Sequence, residues 1–297
     1  MLNNLIGLTV NGLAMGVVYA LIAMGLILLV RAVGVMNFAQ GDLFMLGAYL
    51  SFTFIVNIKL PYWLFVPASL ISFAIVGLIF MAVTYWPLRE ASYPQAVIIA
   101  TMGAGYVIKE LAYKIWGPVA LSMPALVINP ETGTTKVLEI FGIKLQWQYV
   151  MIIAVCAVLI VLVFMLFEKL YAGRMMQATA QDKYAAELIG IPSVVTIAAT
   201  YMLVTMVVSI GGYMVAPVFF ISATLSSLQL RAFAGVVIGG FGNLKGAIIG
   251  SLIVGLIEAY ATLQWSSYKD AVVFIVLIIV LIFRPQGLFG EKIADKA

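Results

Sequence analysis

The sequence predicts an all-α fold, a polytopic transmembrane helical bundle with broken helices and about 8–9 membrane segments. Three observations lead there. Of the 297 residues, 64% are hydrophobic and 9% charged, with a mean hydropathy of +1.15. A soluble globular chain carries about 25% charged residues, so this one has too few to cover a water-facing surface. Its apolar runs exceed the roughly 18 residues at which a membrane-spanning helix becomes the expected structure. The runs are also continuous, whereas barrel strands alternate and cross in about 10 residues.

In chain order, spans are expected over residues 5–30, 35–56, 61–85, 95–116, 147–167 and 194–215. The first is too long, and too poor in preceding Lys or Arg, to be a cleavable signal. It carries Gly12, Gly16 and Ala20 at four-residue steps, and Gly246 and Gly250 repeat the spacing. Small residues so spaced let helix backbones approach closely in lipid. Residues 216–240 are apolar but interrupted by Ser226, Ser227, Gln229 and Arg231, and residues 246–262 and 271–283 complete the set.

Two connections are long. Residues 117–146 hold Pro118, Pro124 and Pro130, then Glu131-Thr132-Gly133-Thr134, a turn signal between β-prone runs. Residues 168–193 are polar, with Lys169, Arg174 and Lys183. Basic residues favour the cytoplasmic side. Placing 168–193 inside puts Arg31 and Arg89 inside as well, and Lys59, Lys136 and Lys144 outside. The N-terminus then lies outside, and the tail with Arg284, Lys292 and Lys296 lies inside. That requires an odd number of crossings, nine if 216–240 crosses once. The net charge of +4 is accounted for by these loops, with no need for a nucleic-acid partner.

Little in the chain points to catalysis. It has no histidine, and hence lacks the commonest general base and metal ligand. Cys156 stands alone in an apolar run, so no internal disulfide forms. No metal site, cofactor or catalytic residue is expected. Residues 239–246 (GGFGNLKG) fail the P-loop pattern, because Leu244 precedes Lys245 and Gly246 follows it. Any ATPase that powers this protein is therefore another chain, and 239–246 reads as a break between two helices.

Asn37, Gln40 and Asp42 form a polar island near the start of the second span, flanked by Gly34 and Gly41. Intramembrane carboxylates are costly and face a cavity or a partner. Two readings stand: a translocation-path or gating role, or a helix cap near the cytoplasmic interface. Lys109, Glu110 and Lys114 read as an interfacial cluster that snorkels to the membrane surface. Arg231 and Glu258 are candidates for pairing within the bundle.

Residues 173–191 predict one short amphipathic helix on the cytoplasmic side. Met176, Ala180, Tyr184 and Leu188 recur at four-residue steps, Lys183 and Glu187 form an i,i+4 pair, and Gly190 with Pro192 stops the helix. A helix resting on the membrane surface is the alternative.

Four stretches together resemble the permease subunits of branched-chain amino-acid ABC importers: 34–50 (GVMNFAQGDLFMLGAYL), 174–191 (RMMQATAQDKYAAELIGI), 235–258 (GVVIGGFGNLKGAIIGSLIVGLIE) and 284–290 (RPQGLFG). The resemblance covers essentially the whole chain, which is then one permease domain, 1–297. It implies a multi-pass subunit of a bacterial-type cytoplasmic membrane with no enzymatic activity of its own. Its implied partners are a second homologous permease, two cytoplasmic ATPase subunits and an external substrate-binding protein. It also implies that 174–191 is the coupling helix that meets an ATPase. Arg174 begins that stretch, and Asp182, Ala185, Ala186 and Gly190 match the family's acid–Ala–Ala–Gly pattern. Relatives commonly have histidine where this chain has Gln40, and the loop through Thr134 and Lys136 is extended. Relatives carry branched-chain amino acids, or urea, short amides or other small organic acids. A self-sufficient secondary transporter, the rival class, would need an intramembrane ion site built on Asp42 or Glu258.

Overall fold

Lipid offers no hydrogen bonds, so an apolar segment satisfies its backbone internally and runs as helix. A computed structural model describes residues 2–89, 91, 93, 95–127, 136–140 and 143–290, with backbone alone for 2–4, 139, 140, 143 and 144. Its helices are α1 (Leu2–Val33), α2 (Gln40–Phe52), α3 (Tyr62–Phe80), α4 (Gln95–Trp116), α5 (Trp147–Lys169), α6 (Tyr171–Gln181), α7 (Lys183–Leu188), α8 (Ser193–Val215), α9 (Leu228–Gly239), α10 (Leu244–Trp265) and α11 (Lys269–Phe283). A small antiparallel hairpin, β1 (Val137–Ile140) and β2 (Ile143–Gln146), pairs Val137 with Gln146 and Ile140 with Ile143. This is a polytopic helical membrane protein.

Among the described residues, six helical stretches are long and apolar enough to cross a membrane: Leu5–Val33, Tyr62–Leu88, Gln95–Trp116, Trp147–Lys169, Ser193–Val215 and Leu244–Phe283. The last is broken by a 3₁₀ turn at Ser266–Tyr268 into α10 and α11. The expected spans 35–56 and 216–240 differ from the sequence reading. α2 starts only at Gln40 and has 13 residues, extended by a π turn over Thr53–Asn57. α9 has 12 residues, about 18 Å of helix. Gly34, at φ +73, ends α1, and Pro217, which lacks an N–H to continue the ladder, follows the end of α8.

Contacts divide the chain into two compact units, residues 1–27, 125–157 and 228–297 in the first and 28–124 and 158–227 in the second. In the first unit, small residues set the packing. A Cβ on Gly12 would lie 3.0 Å from the Gly255 carbonyl, and one on Gly16 would lie 2.9 Å from the Leu252 Cα, so α1 and α10 touch backbone to backbone. Gly246 and Gly250 of α10 press likewise on Gly239 and Gly235 of α9. The four-residue glycine steps are thus packing seams within the bundle. Asn243 caps α10 by accepting from the Gly246 N–H at 3.1 Å. The stretch 284–290 folds back on α9, with the N–H groups of Leu288 and Phe289 donating to the carbonyls of Ile238 and Gly239 at 2.8 and 3.0 Å. Those carbonyls lie in the last turn of α9, where no helical partner remains. Two of the motif stretches therefore form one structure, a capped break between helices.

In the second unit, α2 is buried almost all round, its sole intermediate positions being Leu46 and Leu50. It packs on α8, where a Cβ on Gly47 would meet the Ser209 backbone and one on Gly212 the Phe44 carbonyl. α3 packs on α8 through Gly77 and Tyr201. Trp116 of α4 donates from Nε1 to Thr53 Oγ1 at 2.7 Å, and its ring lies 5.0 Å from that of Tyr49. The turn signal at 131–134 lies outside the described residues, and the hairpin forms after it.

Candidate functional site

The polar island of the second unit is built by a stalled helix start. After Gly34 the chain is not helical until Gln40. Asn37 Oδ1 accepts from the Ala39 N–H at 2.9 Å, while its Nδ2 donates to Gln40 Oε1 at 3.0 Å. The Phe38 N–H donates to Thr101 Oγ1 of α4 at 3.2 Å. These bonds fix where α2 begins against α4.

Asp42, the third residue of α2, faces Gly105 of α4. A side chain at 105 would occupy the space taken by the Asp42 carboxylate. Gly105 is the eleventh of 22 residues in α4. That places it about 15 Å along the helix from its start. Lys109, one turn further on, leans back toward the start of α4 as helical side chains do. Its Nζ lies 3.4 Å from Asp42 Oδ1 and 5.5 Å from the Tyr106 ring centroid. Ser226, in the 3₁₀ turn Ala223–Ser227 that packs on α2, reaches the same carboxylate.

Asp42 is 8% exposed at its side chain and pairs with Lys109. Its side chain makes no helix cap, and it lies against the middle of α4. Lys109 is corrected in turn: it pairs inward with Asp42 and is not simply a snorkelling surface residue. Lys109 lies one helical turn after Gly105, with Glu110 and Lys114 following it in α4.

The polar segment 168–193 forms two helices where one was expected. α6 and α7 break at Asp182, whose backbone is extended at φ −153 and ψ 105. Asp182 Oδ1 accepts from the Ala185 N–H at 3.0 Å and so caps α7. The four-residue stripe runs through this break and hid it. α7 ends as the sequence predicts. Gly190 has φ +86, the Ile191 N–H donates to Ala186 O at 2.9 Å, and the Gly190 N–H donates to Glu187 O at 3.0 Å. This is a Schellman ending, which favours glycine at that position.

Arg174, Asp182, Ala185 and Gly190 are exposed, and Tyr184, Leu188 and Ile189 are each more than 70% exposed. Ala186 is not: it is 2% exposed and turned into the unit. The smallness of Ala186 therefore serves the seating of α7, and an approaching partner would meet Ala185. α6 is anchored by a hydrogen bond from Gln177 Nε2 to Phe167 O at 2.6 Å and by a hydroxyl contact of 3.0 Å between Thr179 and Thr196. Arg31 and Glu168 pair at 3.5 Å beside it.

The first unit holds a second charged group. Glu258 of α10 accepts from the Tyr19 hydroxyl and lies 3.4 Å from Arg231 Nε and 3.1 Å from Lys269 Nζ. Arg231 also binds Asp270 at 2.6 Å. The suspected Arg231–Glu258 pair is present. Tyr19, Lys269 and Asp270 were not foreseen, because the contacts join segments far apart in sequence.

Six helical stretches long and apolar enough to cross a membrane, a carboxylate–ammonium pair packed among them and an exposed polar helix pair describe a polytopic membrane protein. The chain belongs to the family of permease components of branched-chain amino acid transport systems, whose family model matches residues 8–281. It is 29% identical over 297 residues to the high-affinity branched-chain amino acid transport system permease protein LivH of Salmonella typhimurium, covering 96% of each chain. It is 28% identical to the corresponding protein BraD of Pseudomonas aeruginosa, covering 97% of this chain and 96% of that one. A chain of PsaBC from Streptococcus pneumoniae, solved in complex with Fab, aligns at 12% identity with a TM-score of 0.49, covering 94% of this chain and 92% of that chain.

Proposed function

We propose that this chain forms the membrane path of an ATP-driven importer for branched-chain or similar small amino acids. One observation carries the reading: the match to branched-chain amino-acid permeases runs over nearly the whole length of both chains, not over a shared fragment. The importer pairs this chain with a second homologous permease, two cytoplasmic ATPase subunits and an external binding protein. The chain acts as one permease domain in the cytoplasmic membrane, with its N-terminus and loop 117–146 outside and segment 168–193 and its C-terminus inside. Asn37, Gln40 and Asp42 line or gate the path. Arg174, Asp182, Ala185 and Gly190 shape the surface that meets an ATPase, and Ala186 seats it.

The mechanism is one of linkage. Closure of the ATPase pair on ATP moves whatever is docked on α7. α7 is held to α6 by the Asp182 junction and to α8 by the Ser193 contact with Lys183 O at 3.5 Å, so its motion passes to α8, on which α2 and α3 pack. A packed bundle responds by shifting between two arrangements, one open to each side. ATP hydrolysis itself belongs to the partner subunits. The test is nucleotide binding by the purified chain, alone and with the ATPase subunits. The reading expects none alone and stoichiometric binding in the complex; stoichiometric binding by the isolated chain contradicts it.

A further inference from the structure

The second unit carries an apolar groove on its outer wall. The groove has a volume of about 400 Å³ and is lined by side chains of α3, α5 and α8, none of them polar. Val163 and Val207 are buried at its floor, and Leu162 is exposed at its lip. It exists because α5 stands farther from α8 than α2 and α3 do. All three lining helices belong to stretches long and apolar enough to cross a membrane, so the medium at its mouth is lipid. The α8 residues that line it run from Ala199 to Ile210, about 16 Å of helix. That is roughly the depth of one leaflet of a hydrocarbon core about 30 Å thick.

One end of the groove is basic. Leu162 and Leu166 line it, and Lys169, at the end of α5, continues their stripe by one turn. α6 closes that end. A Cβ on Gly173 would collide with the Leu166 and Phe167 backbone, and the Thr179 hydroxyl meets Thr196 of α8 at 3.0 Å. Arg174 follows Gly173 and, like Lys169, is exposed. The Glu168 carboxylate in this corner is paired with Arg31 at 3.5 Å. Lys169 and Arg174 thus give the rim a net positive charge.

We propose that this groove seats one acyl chain of an anionic phospholipid, with its phosphate on Lys169 and Arg174. Guanidinium and ammonium groups pair with phosphate oxygens, and basic pockets between membrane helices attract anionic head groups. The groove is too narrow for a protein helix. A helix about 10 Å across and 16 Å long displaces roughly 1,200 Å³, so it could lie across the mouth but not enter. A single hydrocarbon chain enters, and Met202 and Met206 in the wall, unbranched and flexible, adapt to it. The lipid fills the seam between α5 and α8, the helix on which α2 and α3 pack. The seat is independent of what the protein transports.

The test places the purified full-length chain in nanodiscs with equal traces of phosphatidylglycerol and phosphatidylcholine that bear the same diazirine-labelled acyl chain, and maps the cross-linked peptides. Labelling of residues 158–169 and 199–210 is expected to favour phosphatidylglycerol about fivefold or more, the factor for one basic residue at a membrane surface. Lys169→Gln/Arg174→Gln should abolish that preference, and Lys169→Arg should keep it. Met206→Trp, which fills the groove, should lower labelling there by either lipid. Equal labelling by the two lipids in the wild-type chain overturns the proposal, because the groove then holds bulk lipid only. A preference that survives the double glutamine variant, or labelling indifferent to Met206→Trp, overturns it too. The same labelling is repeated in the complete complex, where the cross-links should persist; their loss there gives the groove to a neighbouring subunit and contradicts a lipid seat.

Discussion

Lys109 Nζ stands 3.4 Å from the Asp42 carboxylate at the level of Gly105, halfway along α4. A glycine and a lysine one turn apart on one helix thus make a notch with a charge at its rim, and the first turn of α2 fills it. Gly105→Val should push the carboxylate out of that notch. The substituted chain is expected to insert into the membrane, because the change adds apolar surface, but to lose most transport. Uptake measured beside the amount of chain in the membrane checks this; normal uptake would mean that the Asp42 position has no functional weight.

The outward face of α7 should be the sensitive one. Ala185 is exposed and Ala186 is 2% exposed. Ala185→Trp is expected to leave the melting temperature of the purified chain unchanged and to abolish stimulation of ATPase activity by substrate-loaded binding protein. Ala186→Trp should instead overpack the seat of α7, at a cost of about 1–3 kcal/mol, and lower the melting temperature. Equal effects of the two on stability would contradict the assigned faces.

Gly190 holds φ +86 at the end of α7. Gly190→Val should cost about 1–2 kcal/mol locally and misdirect the chain before Pro192. Assembly with the ATPase subunits, followed by co-purification, should weaken, while Gly190→Asn, which tolerates this conformation better, should restore much of it. If valine assembles and stimulates hydrolysis as glycine does, segment 168–193 is a surface helix and not the coupling element.

How much of this was legible in the sequence varies with the range of the contacts. Long apolar runs gave the helices, because length and hydropathy are local. The island at Asn37, Gln40 and Asp42 was visible for the same reason. Its setting was not, since it depends on where α2 starts against α4, which Gly34 and the Phe38–Thr101 bond decide. Lys109, followed by Glu110 and Lys114 near the end of its span, reads as interfacial, and only the packing of α2 on α4 pairs it with Asp42. The stop at Gly190 was read correctly from residue type, but the break at Asp182 was missed, although an aspartate three residues before the Ala185 N–H is a helix-cap signal. The cluster around Glu258 joins residues 19, 231, 258, 269 and 270 and has no local signature.

That cluster gives a stability prediction. The Glu258 side chain is 9% exposed and balances Arg231 and Lys269. Glu258→Gln would leave Asp270 as the carboxylate beside Arg231 and remove the partner of the part-exposed Lys269, with a cost of about 1–2 kcal/mol after allowance for solvent screening. The melting temperature in detergent should fall clearly, and Glu258→Asp should fall less. An unchanged melting temperature for Glu258→Gln would show that water already screens the cluster.

Orientation is open to a direct check. In a Cys156→Ser background, Leu2→Cys should react with an impermeant thiol reagent added to intact cells, and Asp295→Cys should react only after lysis. Labelling of both from one side would contradict the external start and internal end.

The central claim is that this chain moves a small amino acid only as part of an ATP-driven assembly. The most direct measurement is uptake of L-leucine into proteoliposomes that hold the chain with its permease partner and ATPase subunits, with binding protein added outside and ATP inside. The account predicts uptake that requires ATP, binding protein and ATPase subunits together, and that stops when any one is withheld. Leucine uptake by the chain alone, driven by an ion gradient without ATP, would contradict it and make the protein a secondary transporter.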